Sequence, residues 1–280
     1  MASIFQPGNT AVITGGASGI GLALAKKCAS NGMKVLITDI NDEALASASS
    51  SSDGSIATVK ADVSSVDDWA RVKSKVDSDL GGKIHLLALN AGRSVKSDWT
   101  DVTAFHKTLD TNLYGVVNGI SALLPVVQQT AAAGGSKAAI VITGSKQGIT
   151  NPPGNPAYNA SKAAIKTIAE HLSWDLRGTP QVGVHLLVPG WTFTGLTGAS
   201  GKNEKPEGAW WPEQVVDYLE KKMSEGKFYV ICPDNDVSEE TDKKRMLWSV
   251  GDIVQARPPL TRWRDEFKEE AKEWMDKQQV

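Results

Sequence analysis

Residues 11–24 read Ala-Val-Ile-Thr-Gly-Gly-Ala-Ser-Gly-Ile-Gly-Leu-Ala-Leu. A short β-branched run ends in a turn with glycine at 15, 16, 19 and 21, and the helix-forming Leu-Ala-Leu-Ala-Lys-Lys follows. Glycines let the chain turn tightly and bring backbone N–H groups to the start of a helix, where an anionic pyrophosphate is stabilised. A glycine-rich turn alone is a weak signal; between a first strand and a first helix it is in the context that gives it meaning. The segment Gly15, Ser18, Gly19, Ile20 and Gly21 is therefore the expected phosphate cradle of a dinucleotide, with spacing G-x-x-x-G-x-G.

Working outward, similar apolar runs recur at 34–39, 56–63, 85–92, 138–145, 182–190 and 228–234, each preceded by a helical pattern. Several are almost continuously apolar, as expected for strands covered on both faces. Alternation at this spacing predicts parallel βαβ units in a doubly wound α/β fold, a seven-stranded parallel sheet of Rossmann type with helices on both faces. Val116, Val117, Ile120, Leu123, Leu124 and Val127 form one helical stripe. Asn155-Pro156 reads as the start of the next long helix. The serine-rich stretch 47–55 and residues 133–136 read as exposed loops.

Asp39 closes the second strand, 18 residues beyond Gly21. A carboxylate there can accept hydrogen bonds from both hydroxyls of an adenosine ribose and repels a 2′-phosphate. No Lys or Arg stands at 18, 40 or 41, so NAD is expected over NADP. Tyr158 and Lys162 lie one helical turn apart. A phenol near pKa ~10 is a poor base at neutral pH. A neighbouring ammonium and a cationic nicotinamide are expected to lower that pKa. Ser145 ends the fifth strand, at the carboxyl edge where parallel sheets place active residues.

Together these residues resemble the short-chain dehydrogenase/reductase family over residues 10 to about 232. The ordered motifs are 14–21, Asp62-Val63, Asn90-Ala91-Gly92, Asn112, Ser145, Tyr158-x-x-x-Lys162, and Pro189-Gly190 followed by Thr194. The resemblance implies that Tyr158 is the general acid or base and that Ser145 donates a hydrogen bond to the substrate oxygen. It implies that Lys162 holds the nicotinamide ribose, and that Asn112 holds a water linking Lys162 to solvent. Asp62 and Val63 then contact adenine, Asn90, Ala91 and Gly92 lie along the cofactor with Pro189 and Gly190, and Thr192 and Thr194 face the carboxamide. Gln147, Trp191, Arg93 and Ser94 are candidates for lining the substrate pocket, and Lys146 beside the catalytic serine is unusual. Residues 1–234 are read as the dinucleotide-binding and catalytic domain, with a substrate lid at about 195–227 that contains Trp210 and Trp211.

The chain has 280 residues and a formal net charge of −2. That near-balance leaves no footprint for nucleic acid or an anionic membrane. No run reaches the ~18 apolar residues of a membrane helix, and the N-terminus lacks the pattern of a signal peptide. A cytoplasmic setting is expected. Two cysteines and four scattered histidines offer no disulfide framework or metal site, and His85 and His185, inside expected strands, read as packed residues.

From 234 onward composition changes: 21 of 47 residues are charged, with Trp248, Trp263 and Trp274 among them. This extension, 235–280, is expected to dock on the body or on a neighbouring subunit. The reading is an oxidoreductase moving hydride between a nicotinamide cofactor and a secondary alcohol or ketone, apolar or aromatic, in a homodimer or homotetramer. The alternatives are an NADPH-linked carbonyl reductase of a biosynthetic pathway and a dinucleotide sensor without turnover, with dehydratase or epimerase chemistry behind them.

Overall fold

A computed structural model describes residues 4–50, 54–133, 136–198 and 204–280. The chain runs β1 (Thr10–Thr14), α1 (Gly19–Ser30), β2 (Lys34–Asp39), α2 (Asp42–Ser50), β3 (Ile56–Lys60) and α3 (Val66–Asp79). It continues through β4 (Leu86–Leu89), α4 (Val102–Leu109), α5 (Gly115–Ala132), β5 (Ala138–Thr143), α6 (Lys146–Thr150) and α7 (Pro156–Asp175). Then follow β6 (Val182–Val188), α8 (Pro212–Ser224), β7 (Tyr229–Ile231), α9 (Glu239–Val254) and α10 (Lys268–Lys277).

The strands form one parallel sheet of seven, in the order β3-β2-β1-β4-β5-β6-β7. Alternation along each strand splits the core in two. Val12, Leu36, Leu87 and Ile140 face the side covered by α3, α5 and α7. Ala11, Ile37, Leu86 and Val141 face the side covered by α1 and α8. The order reverses between β1 and β4, and a crevice at the carboxyl ends of such strands is where α/β sheets bind ligands.

Two local expectations change. The serine-rich segment is helical up to Ser50, because Leu45 and Ala48 supply a buried stripe and Asp42 and Glu43 sit in the first turn; residues 51–53 lie outside the described residues, as do 134–135 of the other expected loop. The helix before β5 is interrupted by a π-helical turn, Asp110–Tyr114, and Val117 lies on an exposed flank of α5, whereas Val116, Leu123 and Val127 are buried. Residues 146–150 form the short helix α6, capped by Ser145. Asn155 caps α7, and Pro156 occupies its first turn.

The extension builds a small core of its own. Trp248 is 1% exposed. Its ring meets Trp274 edge-on at 5.6 Å, Arg257 stacks on it at 3.7 Å, and its Nε1–H donates to Thr261 at 2.8 Å. Asp252 accepts from the Thr261 amide at 3.0 Å and pairs with Arg257 at 3.0 Å. Trp263 is partly exposed and stacks with Arg262 at 4.0 Å.

Trp248→Ala would remove the ring at the centre of this cluster, at a cost of about 3–5 kcal/mol to the cluster. Limited proteolysis is expected to cut within 235–280 much faster than in wild type; equal cleavage rates would show that the tryptophan does not hold the extension.

Candidate active site

A cleft of about 880 Å³ opens at the carboxyl edge of the sheet. Gly15, Ser18, Gly19, Ile20 and Asp39 line one end, and Asp62, Val63, Asn90, Ala91 and Gly92 line its middle. Ser145, Gln147, Tyr158, Lys162, Pro189, Gly190, Trp191, Thr192 and Thr194 complete the wall, with Arg93 and Ser94. Gly21 and Asn112 are not on its surface.

The glycine turn has the shape of an anion cradle. Gly15 and Gly19 have φ of 61° and 50°, the left-handed region that favours glycine. Gly21 serves packing: a Cβ there would lie 2.1 Å from the Gly15 carbonyl oxygen. Ser18 caps α1 without a side-chain hydrogen bond, and the first turn holds no acidic residue. Asp39 accepts from the Ala17 amide at 3.3 Å and from the Asn41 amide at 3.1 Å, which fixes its carboxylate at the lip of this cradle. Lys60, its register partner on β3, is paired with Asp42 at 2.5 Å. The residues present fit a dinucleotide.

A hydrogen-bond chain crosses the ends of three strands. Lys162 Nζ donates to the Thr143 carbonyl at 2.7 Å, and the Thr143 hydroxyl donates to Asn90 Oδ1 at 3.1 Å. Asn90 Nδ2 donates to the Thr14 carbonyl at 3.2 Å, while the Thr14 hydroxyl accepts from the Asn90 and Ala91 amides at 2.9 and 3.0 Å. A Cβ on Gly148 would lie 2.6 Å from the Lys162 carbonyl oxygen, so glycine lets α6 press on α7 behind this lysine.

Lys162 is 4% and Tyr158 7% exposed. Burial lowers the Lys162 ammonium to about 8 and raises the Tyr158 phenol above its ordinary value, with the Ser145 hydroxyl pulling the phenol back. Lys162 Nζ lies 5.9 Å from the centroid of the Tyr158 ring. The Asn112 side chain is fully buried. It accepts from the Arg93 amide at 2.8 Å and donates to the Arg93 carbonyl and the Ser161 hydroxyl, each at 3.0 Å. The π turn aims it there, and π turns often mark functional sites.

Trp210 packs against Tyr218 at 5.9 Å, and Trp211 against Phe193 at 5.6 Å; both brace the segment expected to be a lid, and neither lines the cleft. Residues 199–203 of that lid lie outside the described residues. His85 contacts the Thr10 amide at 3.1 Å and His185 the Lys227 carbonyl at 2.7 Å, both with pKa lowered by burial.

Sequence reasoning missed Thr143, and it missed a buried ion cluster beside Ser145. Lys146 Nζ pairs with Asp234 at 3.0 Å and Asp242 at 2.8 Å, and Arg245 pairs with Asp242 at 3.3 Å. Asp234 also accepts from the Trp191 amide at 2.9 Å. Burial works to raise its pKa, but these partners hold it below the ordinary value. Asp234, Val237 and Arg245 line the cleft. Signals existed: Asp234 ends the seventh apolar run of the sequence, and Lys146 stands next to Ser145.

The chain belongs to the short-chain dehydrogenase/reductase family: the family's profile, described as short chain dehydrogenase, matches residues 9–205. It is 30% identical over 251 residues, 87% of this chain and 91% of the relative, to 1-deoxy-11-beta-hydroxypentalenate dehydrogenase of Streptomyces avermitilis. It is 32% identical over 191 residues, 66% of this chain and 73% of the relative, to sulfoacetaldehyde reductase 2 of Chromohalobacter salexigens. A short-chain dehydrogenase/reductase of Burkholderia phymatum in complex with NAD superposes with a TM-score of 0.78 at 27% identity, covering 91% of this chain and 97% of that one. The Pseudomonas aeruginosa RhlG/NADP complex superposes at 0.72 with 25% identity, covering 83% and 97%. The family is one of oxidoreductases that use a nicotinamide cofactor. Among the described residues no helix is long and apolar enough to cross a membrane.

The depressed Lys162 pKa has a measurable consequence. Between pH about 8 and 10.5 the folded state has released this proton while the unfolded state keeps it, so the lysine's contribution to stability rises with pH in that window. The stability difference between wild type and Lys162→Met, from urea unfolding, is expected to move in favour of wild type between pH 8 and 10.5. A flat difference would show the ammonium is not desolvated.

Proposed function

We propose that the protein is an NAD-dependent dehydrogenase of secondary alcohols, or the corresponding ketone reductase. The observation that carries this is the convergence of Tyr158, Ser145 and Lys162 in one cleft with the glycine turn and Asp39. Gly15, Ser18, Gly19 and Ile20 would hold the pyrophosphate, Asp39 the adenosine ribose, and Lys162 the nicotinamide ribose. Asp62, Val63, Asn90, Ala91 and Gly92 would flank the adenine and the cofactor's length, with Pro189, Gly190, Thr192 and Thr194 at its nicotinamide end. When bound, the nicotinamide supplies the hydride acceptor in oxidation and the hydride donor in reduction.

The chain's own residues handle the proton and the charge. Tyr158 accepts the alcohol O–H proton as the C–H hydrogen leaves as hydride, and returns it in the reverse direction. Ser145 donates a hydrogen bond to the substrate oxygen, where charge changes most between ground and transition states. Lys162 stabilises the phenolate, and its Thr143 hydrogen bond fixes its position. Asn112 acts through others: by binding Arg93 and Ser161 it orients the segment beside the cleft and the turn of α7 that carries Lys162. Gln147 and Trp191 face the substrate. Because burial alone leaves the phenol too weak a base, oxidation would run better at alkaline pH.

Asp39 supports NAD as the partner, since a 2′-phosphate beside its carboxylate would place like charges together, at a cost of several kcal/mol when poorly screened. A homodimer or homotetramer belongs to the same reading, supported by exposed Val117 on α5 and Trp174 on α7.

Tyr158→Phe is expected to lower kcat by roughly 10²–10⁴-fold with NAD affinity retained; a variant keeping half the wild-type kcat would remove Tyr158 from the mechanism. Wild-type kcat/KM is expected to be at least tenfold higher with NAD than with NADP, and Asp39→Ser combined with Ile40→Arg to narrow or reverse that ratio. A wild-type preference for NADPH would instead favour a biosynthetic carbonyl reductase.

A further inference from the structure

The cluster beside Ser145 is unevenly charged. Lys146 is neutralised between Asp234 and Asp242, at 3.0 and 2.8 Å, and Asp242 is fully buried. Asp234 is saturated: besides Lys146 it accepts from the amides of Trp191, Asp236 and Val237 at 2.9, 3.1 and 2.8 Å. Arg245 has only a share of Asp242, through Nη1 at 3.3 Å. Arg262 stands close enough to feel both groups: burial and then Arg245 lower its pKa, and Asp242 raises it. Arg262 has no acidic partner among the described residues, and its Nε is buried without a hydrogen bond. Three cations therefore face two carboxylates.

Arg245 lines the cleft. So does Arg93, whose backbone is held by Asn112 and whose side chain has no ion pair among the described residues. The other acids lining the cleft are Asp39 and Asp62, which belong to the glycine-turn end and the middle. The catalytic end thus presents a guanidinium excess in a wall that also carries Trp191, Leu196 and Val237. A guanidinium fork matches a carboxylate, and partial burial strengthens the pairing. The part of the Arg245 fork that Asp242 leaves unsatisfied matches a single carboxylate.

We propose that the substrate is a hydroxy or keto acid with an apolar body, its carboxylate held by Arg245 of α9 while its carbinol or carbonyl carbon sits at Tyr158 and Ser145. The position of the reacting carbon rests on the dehydrogenase reading above; the carboxylate anchor does not. The C-terminal extension then supplies a specificity-determining residue, and the Lys146 cluster is the latch that keeps α9 against α6.

The test uses the full chain with saturating NAD and a matched pair of probes, 4-oxo-4-phenylbutanoate and its methyl ester. Binding is followed by tryptophan fluorescence and turnover by NADH oxidation in a parallel assay. The acid is expected to bind at least tenfold more tightly than the ester, with the advantage shrinking as salt rises from 50 to 500 mM. Arg245→Gln is expected to erase that advantage, Arg245→Lys to restore part of it, and ester and NAD binding to stay unchanged in both variants, which also reports that they are folded. Equal binding of acid and ester, no binding of the acid at 10 mM, or an acid preference that survives Arg245→Gln would overturn the proposal. Acid-selective binding through Arg245 without turnover of either probe would uphold the anchor and count against the dehydrogenase reading instead.

Discussion

A buried ammonium with no carboxylate paired to it among the described residues is the constraint around which this molecule is arranged. Lys162 is held by a backbone carbonyl, and the residue that offers it, Thr143, also donates to Asn90. Through Asn90 and Thr14 the same chain of hydrogen bonds reaches the start of the glycine turn. Four residues at the ends of three strands and on one helix thus fix the Lys162 end of the cleft relative to its glycine-turn end. Shifting one strand would strand buried polar groups, each costing about 1–3 kcal/mol when unpaired. The sheet's parallel register is what allows Thr14, Asn90 and Thr143 to end side by side.

Burial and function pull against each other at this point. A desolvated lysine resists being charged and a desolvated tyrosine resists being ionised, so burial pushes each group toward its neutral form. Charges bound in the cleft alter that balance, so proton transfer is tied to occupancy. The second buried cluster, around Lys146, answers the same problem differently, by surrounding an ammonium with two carboxylates. Such pairs do little for stability, because desolvation consumes much of the attraction, but breaking one is costly. The cluster is better understood as fixing position than as strengthening the fold.

How much was legible follows from the range of each interaction. The glycine turn, the seven strands and the Tyr158–Lys162 pair are local patterns of turn, alternation and helical period, and they carry into the structure. The serine-rich helix was misread because composition was weighed above the spacing of Leu45 and Ala48. The π turn at Asn112 has no compositional signature; it follows from contacts with Arg93 and Ser161, 19 positions before and 49 after it. The sign of the Tyr158 shift needed burial weighed against charge, which sequence spacing does not provide. Arg245 was invisible for a similar reason: nothing near it in the chain indicates that α9 returns to the neighbourhood of Ser145.

That return has a bearing on how the protein is made. Lys146 and Asp234 are 88 positions apart, and at ~5–20 residues per second a ribosome needs roughly 4–18 s to pass from one to the other. During that interval the strands that carry Ser145 and the glycine turn can already pair, while Lys146 waits in water for its acids. The glycine-turn end of the cleft is thus made in the nascent chain before the wall that carries Asp234, Val237 and Arg245. A ligand that binds the folded glycine turn would favour folding of the growing polypeptide by mass action, before that wall has been synthesised.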